Sequence, residues 1–126
     1  MAKSGFGGTE YLLPGLVTEG RRRGLPFGRI AELVAKAPAV RFGLHTKGDL
    51  APGFDADFCL VDPDATWTVR AADSESAQEY TPFEGFEMTA RVTDTYLRGA
   101  AVFRDGKVVG PARGSFLRRP TRRPEA

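Results

Sequence analysis

The hydrophobic period of this chain changes once, near Gly48. Before it, apolar residues recur every three to four positions. After it, they come in short runs bounded by Pro, Gly and Asp. A 3.6-residue period and a two-residue period serve different backbones, so the switch predicts helices first and a separate set of strands after them. No internal repeat is present. This order reads as the end of one domain followed by the body of another.

The helical half opens on a glycine-rich stretch, Ser4, Gly5, Gly7 and Gly8 around Phe6. Thr9 can then cap a short helix whose apolar stripe is Leu12, Leu13, Leu16 and Val17. Pro14 fits a first turn. Gly20 reads as the stop, and Arg21-Arg22-Arg23-Gly24 as a solvated connection. Pro26 suits the first position of a second helix, with Ile30, Leu33, Val34 and Ala37 on one face. Pro38 ends that helix or opens a short turn through Val40 and Phe42, closed by Gly43.

In the second half, Pro52-Gly53 marks a turn. Asp57 to Asp62 reads as a short buried strand and Trp67-Thr68-Val69 as a second. Ala71 to Gln78 is loop or one helical turn. Thr89 to Arg98 is rich in strand formers. Ala101-Val102-Phe103 meets Asp105-Gly106, a two-residue hairpin turn, and Lys107-Val108-Val109 returns. Trp67 with Phe58, Phe83, Phe86 and Phe103 is enough aromatic surface for one small core, and Tyr80 reads as packing too.

Composition removes several function classes. The chain has 126 residues, 41% hydrophobic and 27% charged, the balance of a folded soluble domain. An eight-fold βα barrel needs on the order of 200 to 250 residues and cannot be complete here. No apolar run approaches a membrane span, and Met1 to Gly5 lacks the apolar core of a secretory signal. A single cysteine, Cys59, excludes an internal disulfide and favours a reducing, cytoplasmic setting. The net charge of +2 is unevenly placed: residues 113–126 hold five arginines against Glu125, a charge of +4, which leaves −2 on the rest. A mildly acidic body argues against a nucleic-acid-binding domain. The basic, proline-containing end, residues 118–126, reads as disordered.

Against this background several segments are recognisable. Lys47-Gly48-Asp49-Leu50-Ala51-Pro52-Gly53-Phe54-Asp55-Ala56-Asp57-Phe58 resembles the "K-G-x-I-A-x-G-x-D-A-D-L" signature of the amidohydrolase superfamily. Tyr80-Thr81-Pro82-Phe83-Glu84-Gly85 is similar to the "S/T-P-F/Y-x-G" segment of cyclic amidohydrolases. Leu97-Arg98-Gly99 and the stretch from Val102 to Gly110 resemble their closing strands. Gly5 to Pro14 resembles the "G-x-x-G-x-E-x-x-L-P" loop that follows the last catalytic aspartate. The similarity spans about residues 3–119 and points to the dihydroorotase, allantoinase and hydantoinase branch.

The resemblance implies an α/β piece. Residues 1–47 would be the last helices of a (β/α)8 metal-dependent hydrolase barrel, 48–117 part of a small composite β-sandwich, and 118–126 the tail. The family uses an H-x-H strand, a lysine that is usually carboxylated, two further histidines and an aspartate around divalent, zinc-type metal. This chain has one histidine, His45, and no H-x-H. The resemblance therefore implies no metal site and no catalytic residue within it. Every ligand would lie before residue 1, with Met1 internal to a longer enzyme or the start of a truncated gene. What can remain is the substrate loop: by resemblance, backbone groups of Ser4 and Gly5 face the ring of a small cyclic amide or ureide.

The remaining polar residues read as structural. Asp55 and Asp57 flank Ala56 where they can accept turn N–H bonds. Their spacing also allows an acid–base pair, but no nucleophile, histidine or ligand lies near. His45 reads as an ordinary surface residue, and Cys59 as a small hydrophobe without a base to activate it. Three functions fit: the C-terminal portion of a cyclic amidohydrolase, inactive by itself; a non-catalytic module docking onto a separate barrel chain; or a gene-fragment product. Apolar stripes without a barrel and open sheet edges predict self-association.

Overall fold

The computed structural model describes residues 5–118. Ser4 and the tail beyond Arg118 lie outside the described residues. The chain divides into two compact units, Met1–Pro26 with Val61–Val92 and Phe27–Leu60 with Thr93–Ala126. The first 47 residues thus contribute to both.

The first unit holds a 3-10 turn Thr9–Tyr11, helix α1 (Leu12–Arg22), and a two-stranded antiparallel ribbon of β2 (Trp67–Thr68) and β3 (Glu87–Met88). A second 3-10 turn covers Ala71–Asp73, as the sequence allowed. Its core is Tyr11, Val69 and Met88, with Trp67 and Phe83 packed on it. The buried face of α1 is Pro14, Val17, Thr18 and Gly20; of the expected stripe Val17 is buried, Leu13 and Leu16 are half-buried, and Leu12 is 60% exposed. The reason is close approach. Gly15 lies beside Met88, where a Cβ would sit 3.7 Å from the methionine methyl. Thr18 Oγ1 accepts the Thr89 N–H at 3.0 Å. Small residues, rather than leucines, bring this helix onto the ribbon.

Gly20 does not end α1. The stop is Gly24, in the left-handed region at φ 72°. Leu25 N–H donates to the Gly20 carbonyl at 2.8 Å, and Gly24 N–H to Arg21 at 3.1 Å. These are the paired bonds of a Schellman cap. Arg21 and Arg22 therefore occupy the last helical turn, where cations suit the helix dipole, instead of a solvated connection.

In the second unit, α2 (Phe27–Ala31), a π-helical turn Glu32–Lys36 and α3 (Ala37–Phe42) run on without a break. Pro38 neither ends the helix nor opens a separate turn. The preceding turn widens so that Ala37 N–H reaches Glu32, five residues back, and the proline ring falls at the start of α3. An i→i+5 turn of this kind accommodates a residue without an N–H. Gly43, at φ 67°, caps α3 as expected.

Strands β1 (Phe58–Asp62), β4 (Arg91–Leu97), β5 (Ala100–Arg104) and β6 (Lys107–Val108) form a sheet in the order β1-β4-β5-β6. Two tight turns shape it. Asp105-Gly106 (φ 49° and 78°) joins β5 to β6, and Arg98-Gly99 (φ 48° and 76°) joins β4 to β5. Positive φ at both central residues is the type I′ geometry that matches strand twist. β1 is an edge strand, and this overturns the expectation of burial: Leu60 is 49% exposed and Cys59 is exposed as well. The aromatic residues do not form one core. Phe83 and Trp67 belong to the first unit, while Phe58 stacks on Tyr96 in the second at 4.6 Å. Among the described residues no helix is long and apolar enough to cross a membrane.

Candidate functional site

Two glycine-rich segments carry the polar geometry of the molecule. The first is the loop at residues 5–8. Gly5 (φ 118°) and Gly8 (φ 122°) adopt backbone angles that L side chains rarely reach. The Gly5 carbonyl accepts the Tyr80 hydroxyl, and Gly7 N–H donates to Gln78 Oε1. Phe6 meets Phe83 edge-on at 6.0 Å. The loop borders a broad hollow of about 800 Å³ in the first unit, lined mainly by Phe6, Tyr11, Leu16, Phe83, Phe86 and Met88. Of the two expected substrate-facing residues, Gly5 is exposed in this loop and Ser4 lies outside the described residues.

The second segment follows α3. Gly48, at φ 87°, lies so close to the helix that a Cβ would fall 2.6 Å from Ala39 Cβ and 2.7 Å from the Ala35 carbonyl oxygen. Beside it, Lys47 Nζ contacts Asp55 Oδ2 at 2.8 Å and also Asp57 Oδ2. Thr46 Oγ1 donates to Asp55 at 3.2 Å, and Arg98 N–H donates to Asp57 Oδ1 at 2.7 Å. The electrostatics follow. The hydrogen bonds that Lys47 donates to Asp55 and Asp57 hold its ammonium above its ordinary pKa. The bond from Lys47 holds Asp55 below the usual carboxylate range. Burial pushes Asp57 up, but Lys47 and the Arg98 N–H outweigh it, and its pKa is also lowered.

These residues form a clamp in which both carboxylates act as ionised acceptors, Asp55 from Lys47 and Thr46, and Asp57 from Lys47 and the Arg98 N–H. The sequence reading of Asp55 and Asp57 as turn acceptors holds in part, since Asp57 accepts the Arg98 turn N–H. The counter-ion Lys47 went unread, although its spacing of eight and ten residues from the two aspartates was available. The Arg98-Gly99 turn was likewise visible only as a motif.

The segment around Tyr80 has its own local logic. Glu84 accepts the Ala71 N–H at 2.6 Å and lies 3.4 Å from the Arg70 guanidinium. Gly85, at φ 77°, donates its N–H to Val69. Trp67 Nε1 donates to the Ala90 carbonyl at 2.8 Å, with the Arg91 guanidinium over the ring.

The described side chains do not assemble a centre of the kind the family uses. Among the described residues no three His, Cys, Asp or Glu side chains converge to hold a metal ion. Lys47 is engaged as an ammonium by two carboxylates and is no candidate for a carboxylated ligand. His45 is exposed in a turn. Cys59 is solvent-accessible on β1, yet the desolvation around its sulfur pushes the thiol pKa up, the opposite of an activated nucleophile.

Comparison with known proteins gives this arrangement a context. No family model matches the chain. An allantoinase of Rubrobacter xylanophilus is 42% identical over 118 residues, covering 93% of this chain and 26% of that protein. A dihydroorotase of Methanothermobacter thermautotrophicus is 43% identical over 98 residues, 78% of this chain and 22% of that protein. Among solved structures, an L-hydantoinase from Arthrobacter aurescens superposes with a TM-score of 0.74 at 35% identity, over 78% of this chain and 22% of its own. The chain therefore spans about a quarter of the length of the curated relatives it matches. Over that quarter it belongs to the cyclic amidohydrolases, the group of allantoinases, dihydroorotases and hydantoinases.

Proposed function

We propose that the chain is the C-terminal portion of a metal-dependent cyclic amidohydrolase, allantoinase- or dihydroorotase-like, which hydrolyses a ring C–N amide bond. Residues 1–47 then belong to the end of its barrel and 48–117 to its composite β-sandwich. The metal ligands and the catalytic aspartate reside on the rest of the enzyme. This chain supplies backbone groups of Ser4 and Gly5 to the ring of a cyclic amide or ureide, in a cytoplasmic enzyme. The observation that carries this reading is the 42% identity over 93% of the chain to an allantoinase of which it spans 26%.

The test is a graft. The segment of the Rubrobacter xylanophilus allantoinase that matches this chain is replaced by this chain's residues. The graft is expected to hydrolyse allantoin within about ten-fold of its parent. The isolated chain is expected to show no turnover and, after soaking in zinc or cobalt and desalting, to retain well under one metal per chain. A folded but inactive graft, or stoichiometric metal with turnover in the isolated chain, overturns the proposal. The alternative is a docking module that serves a separate barrel chain. Its support is exposed apolar surface: Val40 is 75%, Leu50 70% and Phe42 53% exposed. Activity restored only when the chain is supplied in trans would select that alternative. The same surface underlies an expected self-association of the isolated chain, to be checked by sedimentation velocity. A single monomeric boundary at micromolar concentration would refute it.

A further inference from the structure

The loop at residues 5–8 has few means of holding its own shape. Three of its four residues are glycines, which lose the most freedom on ordering and offer no side chain as an anchor. Within the loop and its following turn, Tyr11 N–H donates to the Gly8 carbonyl at 3.0 Å. The other anchors come from one distant segment, residues 74–83. Tyr80 donates its hydroxyl proton to the Gly5 carbonyl across 75 residues of sequence. Gln78 Oε1 accepts the Gly7 N–H across 71. Ser74 donates its hydroxyl to the Glu10 carboxylate. Phe83 backs the Phe6 ring. The fit is close, since a Cβ on Gly7 would lie 2.2 Å from Ser76 Oγ.

We propose that Tyr80 and Gln78 are positioning residues that set the Gly5–Gly7 backbone in the direction from which it meets the substrate ring. The Gly5 carbonyl belongs to the peptide unit joining residues 5 and 6. The Gly7 N–H belongs to the unit joining 6 and 7. Two consecutive peptide planes are thus each held by one side chain of the same segment. A peptide plane carries its N–H and C=O as a rigid unit, so holding two in succession determines how the chain arrives at Gly5. The ordering cost of the loop is met in the fold, before any substrate binds. The functional half of this proposal rests on the substrate-loop reading given above; the structural half rests on the contacts alone.

The two halves are tested separately. Hydrogen exchange is followed by mass spectrometry on the full chain and on its Tyr80→Phe, Gln78→Ala and Gln78→Glu variants. In Tyr80→Phe and Gln78→Ala, peptides covering residues 5–11 are expected to exchange at least about five-fold faster, with peptides around Val69 and Met88 unchanged. Gln78→Glu keeps an acceptor oxygen for the Gly7 N–H and is expected to restore protection. Unchanged exchange in residues 5–11, or no rescue by Gln78→Glu, overturns the positioning role. In the allantoinase graft, Tyr80→Phe is expected to raise KM about ten-fold while kcat moves less than about two-fold, the pattern of lost ground-state binding. Faster exchange with an unchanged KM overturns the functional half only. An inactive graft without substitutions removes the substrate-loop reading and leaves the exchange result to decide the structural half.

Discussion

The two glycine-rich reversals of this molecule are held by different physics. At residues 47–57 the chain is tied by charge. Lys47 bridges two carboxylates, Asp57 also takes a turn N–H from Arg98, and Gly48 is seated against Ala35 and Ala39. At residues 5–8 the loop itself is tied by neutral hydrogen bonds to Tyr80 and Gln78, and nothing lies within 4 Å of where a Gly5 Cβ would be. A half-buried charge clamp resists distortion because breaking it leaves ions without partners. Neutral bonds at an exposed loop cost little to rearrange. The first reversal is therefore expected to contribute more to stability than the second.

The comparison breaks most sharply at the glycines. Gly48→Ala is expected to cost on the order of 3 kcal/mol, since it adds left-handed backbone strain to an overlap with helix backbone that cannot yield. Gly5→Ala carries the backbone strain without the overlap and is expected to cost about 1 kcal/mol, confined to the loop. Urea denaturation of both variants checks the contrast. Equal losses would show that packing at Gly48 is looser than the close contacts with Ala35 and Ala39 indicate.

Lys47→Met comes next, with an expected loss of about 1–2 kcal/mol, because Asp57 would keep its N–H donor but lose its cation. Adding Asp55→Asn and Asp57→Asn should recover part of that loss, as removing stranded charges does. The same denaturation series reads it out, and a triple variant no more stable than Lys47→Met would contradict the clamp.

The smallest effect is the pH dependence. Asp55 and Asp57 have folded pKa values below their ordinary 3.8. Their contribution is present above about pH 4 and is lost as pH falls through the folded values. Lys47 is raised above its ordinary 10.5, so its contribution is present below that pH and is lost as pH rises through the folded value. Stability attributable to the clamp should be flat between these limits. The difference in unfolding midpoint between the wild-type chain and Lys47→Met, followed from pH 7 to pH 2, should shrink only in acid. A difference that is already falling at pH 6 would implicate other groups.

These contrasts also mark what could be read along the chain. The Asp105-Gly106 turn was legible because it needs positive φ at adjacent positions, and Asp-Gly supplies that locally. Gly43 was legible as a cap for the same reason. Gly20 misled because a glycine at a helix end and a glycine buried inside a helix look alike in sequence. The stripe of Leu12, Leu13, Leu16 and Val17 held fully only at Val17, because periodicity names an apolar face but not which part of it has a partner. Here the partner is the β2–β3 ribbon, and small residues approach it best. Pro38 misled because a π turn, which accommodates it, is created by hydrogen bonding among neighbours rather than by any one residue.

The sequence by itself determined the order of helices before strands, the tight turns and the family motifs, all of which depend on residues close together in the chain. Only the tertiary structure decided what those motifs do. Lys47, Asp57 and Arg98 form one clamp, and Tyr80 reaches Gly5 from 75 residues away. The contacts of Arg98 and Tyr80 depend on how the backbone brings distant segments together, which the spacing of neighbouring residues does not encode.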